Sequence, residues 1–395
     1  MCAKPGQLFR PPVAFLTSLL FVACICIPPM ASVFKISPPV PLQESDTNVM
    51  PAFHLDFDTL SQIIYKIRRN WLERNFGLRK VMVRWECFLD VVMLKSSTPF
   101  DSVLAGKGDW LYLSQENPKL NVIQDYRGVQ PLTQEQLDIW CAVFQKRQAW
   151  LAERGIRYLI VVAPNKASIY PEYIPRKFNK VHQRNKLDHM LDTLRAGGLD
   201  VLDLRPAELE AKKHRLCYYR TDSHWNPYGA FYGYRAIAEH LQAAFPQIKP
   251  AEESSFDIHE TPGLLGGLSY MIALGDYYKE NMVIFTPKTP RLAKPVEGGE
   301  VALNHFQPLA VFETPDPSKP RALIIRDSFS HEVIPFLSEH FSRSVYAWPF
   351  PTDAVKVRPF GKDMIEREKP DIVIDEFVER YFTQPPPPSA LEDDQ

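Results

Sequence analysis

Ile156-Arg157-Tyr158-Leu159-Ile160-Val161-Val162-Ala163 is a nearly continuous apolar run, rich in β-branched residues and followed at once by Pro164 and Asn165. A strand with one wet face alternates apolar and polar residues. A run without alternation belongs to a strand covered on both faces, as in a parallel sheet between helices. The same character returns at 199–204 (LDVLDL), 322–325 (ALII), 345–348 (VYAW) and 372–374 (IVI). Helical segments intervene at about 181–196, 227–245, 331–341 and 361–368. Ahead of the first strand, Thr133-x-x-Gln136 forms a capping box for a helix with apolar face Leu137, Trp140, Cys141, Phe144 and Leu151, closed by Gly155. Strands alternating with helices predict an α/β fold: a doubly wound parallel sheet with helices on both faces, with function at the carboxyl ends of the strands. The segment 250–320 breaks this rhythm and reads as a Pro/Gly-rich insertion over one edge.

Toward the amino terminus, residues 13–27 (VAFLTSLLFVACICI) are preceded by Lys4 and Arg10 and followed by Pro28, Pro29 and Met30-Ala31-Ser32. This is the form of a signal peptide or signal anchor over residues 1–34. The apolar core is short of the roughly 20 residues of a full span, and extension to Phe34 reaches that length. Export predicts a periplasmic protein, tethered to the inner membrane if the anchor is retained. Residues 35–55 form a Pro-rich linker. An amphipathic helical lead-in over 56–105 carries Leu60, Ile63, Ile64, Ile67 and Trp71 on one face, with a second helix or strand over 81–94. The catalytic domain is expected over 106–383, and 384–395 reads as a disordered tail with a polyproline start.

Composition narrows the function classes. Lys plus Arg number 46 against 47 Asp plus Glu, a net charge of -1, which leaves no positive field for a nucleic-acid partner. Hydrophobic residues at 45% and charged residues at 24% exclude collagen-like, wholly disordered and multi-spanning chains. The six cysteines show no CxxC or Cys/His spacing, so neither a zinc site nor a redox pair is indicated, and no cofactor is expected.

Three segments place reactive groups at sheet ends. In Thr221-Asp222-Ser223-His224-Trp225-Asn226-Pro227, Asn226 would cap a helix and Pro227 would open it. Residues two apart in an extended segment point the same way, so Asp222 can orient His224 as a general base. In Arg326-Asp327-Ser328-Phe329-Ser330-His331 an apolar strand delivers Ser328 to a sharp turn before a helix, the logic of a nucleophile elbow without its flanking glycines. His331 is a substitute base pointed away by its helical offset. The third segment is Ala163-Pro164-Asn165-Lys166, where Asn165 could donate to an oxyanion and Lys166 could position a negatively charged or polar substrate. For each segment the alternative is structural: a histidine that packs, a serine that caps, a loop that is merely fixed. A metallophosphatase, which also uses a DxH at a strand end, would need GNH and GHxH motifs downstream, and the usual nucleotide cradles a GxGxxG or GxxxxGK[ST] loop; none occurs.

With these residues in view, the chain resembles the SGNH-hydrolase-like proteins of the alginate O-acetyltransferase (AlgX/AlgJ-like) family. The resemblance spans about residues 70–382 and rests on Gly108-Asp109-Trp110-Leu111, Ala163 to Lys166 with Ile169-Tyr170-Pro171-Glu172, Thr221 to Asn226, and Asp327-Ser328-Phe329. It implies an exported serine O-acetyltransferase acting on an exopolysaccharide, supplied with acetyl by a membrane-bound O-acyltransferase. It implies Ser328 as nucleophile, His224 as base and Asp222 as its partner. The usual glycine before Asp-Ser is Arg326, which alters the oxyanion hole or contacts substrate. A carbohydrate acetylesterase on the same triad is one alternative. A non-catalytic polysaccharide-binding or assembly component is another, with Trp225, Tyr228, Phe231, Tyr232 and Tyr234 stacking on sugar rings or packed in the core.

Overall fold

The structure, a computed structural model, describes residues 11–34, 78–96, 102–117, 120–264, 266–296, 309–348 and 360–382, with single positions 36, 40 and 385. The helix face built on Leu60 to Trp71, and nearly all of the expected linker and tail, lie outside these residues. The chain divides into two compact units, residues 1–96 with 270–277, and residues 97–269 with 278–395.

In the smaller unit, Pro11–Val33 is one helix whose apolar side chains, among them Phe15, Leu16, Leu20 and Phe21, are exposed. A second helix, Arg79–Cys87, continues as a π-helical turn, Phe88–Met93, so the 81–94 segment is helical. Arg84 fastens it by a two-pronged pair to Asp276, at 2.7 and 2.8 Å, and by a bond to the Ala273 carbonyl at 3.0 Å.

Seven strands form the main sheet of the larger unit among the described residues: β1 Arg157–Ala163, β2 Val201–Asp203, β3 Lys294–Pro295, β4 Leu309–Glu313, β5 Arg321–Ile325, β6 Arg343–Ala347 and β7 Ile372–Val378. Their order is β2-β1-β7-β5-β6-β4-β3. The first five run parallel, and β4 and β3 add antiparallel at one edge. The expected doubly wound sheet is therefore present. The 250–320 region departs from its rhythm by supplying this antiparallel edge and a hairpin of Phe256–Leu264 with Glu280–Pro287.

Alternation along the strands sorts two cores. Leu159, Val161 and Ala163 of β1 join Ile324 and Ile374 on the face covered by Tyr228, Phe231, Tyr234 and Ile237 of helix Pro227–Leu241. Tyr158, Ile160 and Val162 join Leu323, Ile325 and Val373 on the other, beneath Leu137, Trp140 and Phe144 of helix Gln134–Ala152. Burying each Val, Leu, Ile or Phe side chain among these contributes about 1.5–3 kcal/mol, so both faces must be covered. The caps at Thr133 and Asn226 form as their side chains dictate: the Thr133–Gln136 box is reciprocal, and Asn226 accepts the amides of Tyr228 and Gly229.

The expected helix over 331–341 differs. It is a 3-10 turn Ser328–Glu332, one α-turn Ile334–Leu337 and a second 3-10 turn Ser338–His340. Pro335 has no amide to donate to the carbonyl of His331, so the helix restarts there.

Candidate active site

Strand β7 lies between β1 and β5, so three strand ends meet: Asn165 and Lys166 after β1, Arg326 to Ser328 after β5, Glu379 and Arg380 after β7. Asp327 caps the turn that carries Ser328. Its Oδ1 accepts the Phe329 amide at 2.8 Å and its Oδ2 the Val378 amide at 2.7 Å. Both oxygens are engaged with main chain, so Asp327 braces the Ser328 turn and is not the acid that orients His224.

His224 arrives on a loop pinched shut by an isolated antiparallel bridge between Tyr218 and Trp225. His224 Nε2 stands 2.8 Å from Ser328 Oγ, and His224 Nδ1 stands 2.7 Å from Asp222 Oδ1. Asp222 also accepts the His224 amide at 2.9 Å and, through Oδ2, the Gly267 amide at 2.6 Å. Burial alone would raise the Asp222 carboxyl. The bonds and charge from His224, with the Gly267 amide, outweigh it and hold the carboxyl well below the usual range. An ionised, backbone-anchored Asp222 accepts the Nδ1 proton, which leaves Nε2 as the acceptor facing Ser328. This row can take a proton from a serine hydroxyl and return it to a leaving group.

The other residues singled out in the sequence fall differently. Trp225 is 2% exposed; its indole N–H donates to the Phe329 carbonyl at 3.0 Å and its ring meets Phe329 edge-on. It braces the Ser328 turn and offers no face to substrate. Tyr228, Phe231 and Tyr234 are buried core. Arg326, also 2% exposed, donates to the Asp327 carbonyl at 3.2 Å and lies over the Trp348 ring. Its place is inside the turn. Lys166 is buried against three main-chain carbonyls, those of Tyr219, Arg220 and Asp222, rather than open to a ligand. Asn165 receives an Arg380 N–H on Oδ1 at 3.4 Å and gives its amide to Glu379 at 2.8 Å. His331 is buried and lines a separate cavity with Arg291 and Phe312.

Supporting residues that the sequence reading passed over come from three distant segments. Glu280 accepts the amides of Arg220 and Thr221 at 2.6 and 3.1 Å, holding the loop just before Asp222. Gly266 and Gly267 approach that loop so closely that a Cβ at Gly266 would sit 2.3 Å from the Thr221 carbonyl. Glu376 accepts the Asp327 amide, while Glu379 collects Asn165, Ser168 and Asn185. The adjacent acids Asp375-Glu376 inside an otherwise apolar strand were the signal available for these.

The chain is similar to known proteins over the region that carries these residues. Residues 103–350 match the family model of the SGNH hydrolase-like domain, acetyltransferase AlgX. The probable alginate O-acetylase AlgJ of Pseudomonas aeruginosa is 28% identical over 171 residues, 43% of this chain and 39% of that protein. The alginate biosynthesis protein AlgX of Pseudomonas putida is 24% identical over 199 residues, 45% and 39% of the respective chains. The match thus spans 39% of the length of each of these two relatives. The structure of Bacillus cereus PatB1 superposes with a TM-score of 0.51 at 15% identity, covering 71% of this chain and 97% of that one, a likeness of fold. Because the matched region takes in strands β1 to β6 and all of Asp222, His224 and Ser328, the chain belongs to the SGNH hydrolase-like AlgX acetyltransferase family.

Proposed function

We propose that the protein is an exported serine O-acetyltransferase that places acetyl groups on the hydroxyls of an exopolysaccharide through an acetyl-serine intermediate. The observation that carries this reading is the continuous hydrogen-bonded row Asp222–His224–Ser328 in a chain of this family. The polysaccharide substrate follows from the alginate O-acetylation named for its relatives. Export to the periplasm, with or without retention at the inner membrane, is the reading of the apolar run at 13–27, and the family resemblance implies a membrane-bound O-acyltransferase as the acetyl supplier.

In the first step Ser328 Oγ attacks the acetyl carbonyl carbon while its proton passes to His224 Nε2. The oxyanion that forms is met by the Ser328 amide and by the Asn165 side chain, whose NH₂ group is left as donor because Arg380 occupies Oδ1. Collapse returns the proton to the departing group and leaves acetyl on Ser328. A sugar hydroxyl then gives its proton to His224 and attacks the acetyl-serine, and the proton goes back to Ser328 Oγ as the ester leaves.

The His224 side chain is 30% exposed, so water can compete with the sugar, and carbohydrate acetylesterase activity on the same residues is the second reading. The aromatic residues beside His224 are mostly core, so a purely sugar-binding role finds no stacking platform in them.

The deciding experiment incubates the full chain with a chromogenic acetyl ester, locates acetyl by mass spectrometry, and then adds polysaccharide. Acetyl on Ser328 that moves to the polymer supports the transferase. Acetyl that appears only as acetate supports the esterase, and product without any acetyl on Ser328 would sink both.

A further inference from the structure

We propose that Lys166 is the positioning residue of the acid–base loop: its ammonium, bonded to the carbonyls of Tyr219, Arg220 and Asp222, fixes the main chain from which Asp222 and His224 project. The inference rests on the acyl-transfer reading above. It assigns to a residue with no contact to substrate the alignment on which proton transfer depends.

Between Tyr218 and Trp225 the chain is neither helix nor strand, so its polar main-chain groups need partners from elsewhere. Lys166 Nζ supplies them at 3.1, 3.0 and 2.5 Å. An ammonium carries three N–H donors, and all three are spent here, which is why Lys166 has nothing left for a substrate or an oxyanion. The Thr221 carbonyl, between those of Arg220 and Asp222, takes the amides of Leu268 and Ser269. The amides of Arg220 and Thr221 go to Glu280. Lys166 begins the short helix Lys166–Ile169 directly after β1, so it ties the base loop to the central sheet.

The groups around the ammonium set its charge. The rings of Trp110 and Tyr112, at the hairpin of Val103–Ala105 with Leu111–Leu113, lie 5.6 and 5.2 Å away, and Asn165, Ser223 and Arg380 line the adjoining cavity. Burial lowers Lys166 to about 7 against the opposing pull of Asp222 and Glu280. A neutral amine keeps two donors and turns a lone pair toward a carbonyl. One of the three loop bonds then becomes a repulsion. As pH rises through about 7 the loop should loosen, and with it the Asp222–His224–Ser328 alignment; misplacements of this kind cost up to about 10²-fold in turnover.

The test uses the full chain as wild type, Lys166→Met and Lys166→Arg, with two readouts between about pH 6 and pH 9, bracketing the Lys166 value. One is the low-field proton resonance of the His224 Nδ1 bond, assigned by its loss in Asp222→Asn. The other is kcat and KM for cleavage of a chromogenic acetyl ester. Wild type should show the resonance at the acid end and lose it, with kcat, at the alkaline end, while KM stays level. Lys166→Met should lack the resonance throughout, and its kcat should converge on that of wild type as pH rises. Lys166→Arg, charged at all these pH values, should keep both the resonance and kcat at the alkaline end, where wild type loses them. If the arginine does not fit, circular dichroism will show it, and the convergence of wild type and Lys166→Met decides alone. Parallel wild-type and methionine profiles, or a resonance indifferent to the methionine, would overturn the proposal. No ester cleavage by wild type would overturn the acyl-transfer reading instead, while the resonance still decides the role of Lys166.

Discussion

Glu376 Oε2 accepts the main-chain N–H of Asp327 at 2.9 Å and the hydroxyl of Ser330 at 2.8 Å, so one carboxylate on β7 grips the residues on both sides of Ser328. Removing it leaves a buried amide without an acceptor, which costs about 1–3 kcal/mol. Glu376→Ala should lose stability of that order and lower kcat, whereas Glu376→Gln, which keeps an acceptor oxygen, should recover most of both. Chemical denaturation paired with ester cleavage measures the two effects on the same samples.

Ser328→Ala and His224→Ala should each abolish ester cleavage with the fold intact, and the double variant should be no worse than either single one. Both act on one proton-transfer step, so their losses do not add. Turnover near wild type in either variant would remove the triad.

Asp222→Asn keeps the size of the side chain but donates toward His224, favouring the wrong tautomer, and comparable changes cost up to about 10⁴ in turnover. The loss should fall on kcat with KM little altered. Loss of affinity at unchanged kcat would make Asp222 a binding residue.

Glu208 is fully buried beneath Gly229 and Gly233, and burial, outweighing a contact with the Cys217 thiol, pushes its carboxyl up to about 8 from 4.5. The folded chain therefore holds this proton more tightly than the unfolded chain. Its contribution to stability is fully present below about pH 4.5 and is lost as pH rises toward 8, by about 1.4 kcal/mol for each pKa unit of difference. Glu208→Gln should flatten that part of the stability–pH curve and stand above wild type near pH 8. A curve parallel to wild type across the window would show that Glu208 ionises normally.

A reporter fused after Gln395 that works only outside the cytoplasm should be active, because the charged start and the apolar run at 13–27 are expected to direct export. Activity confined to a cytoplasmic reporter would rule this out.

Local chemistry explains what could be read from the chain alone. Runs of β-branched residues predict the five parallel strands because a strand buried on both faces must be apolar on both. Thr133 with Gln136, and Asn226 with Pro227, mark helix starts because the side chains themselves satisfy the free amides. Asp222 and His224 sit two residues apart, so their pairing is nearly local as well. What only the tertiary structure decided depends on pairings made across long stretches of chain. Strand β7, the last in sequence, inserts between β1 and β5 and brings Glu376 under Asp327. Glu280 and Gly267 reach the base loop from 45 or more residues away. Trp225, Arg326 and Lys166 have the chemistry of substrate ligands, and their sequence neighbours are those of an active site. Their polar atoms nevertheless turn inward, because the nucleophile turn and the base loop carry main-chain groups that no regular ladder satisfies, and a buried carbonyl without a donor costs more than a surface contact with substrate would return.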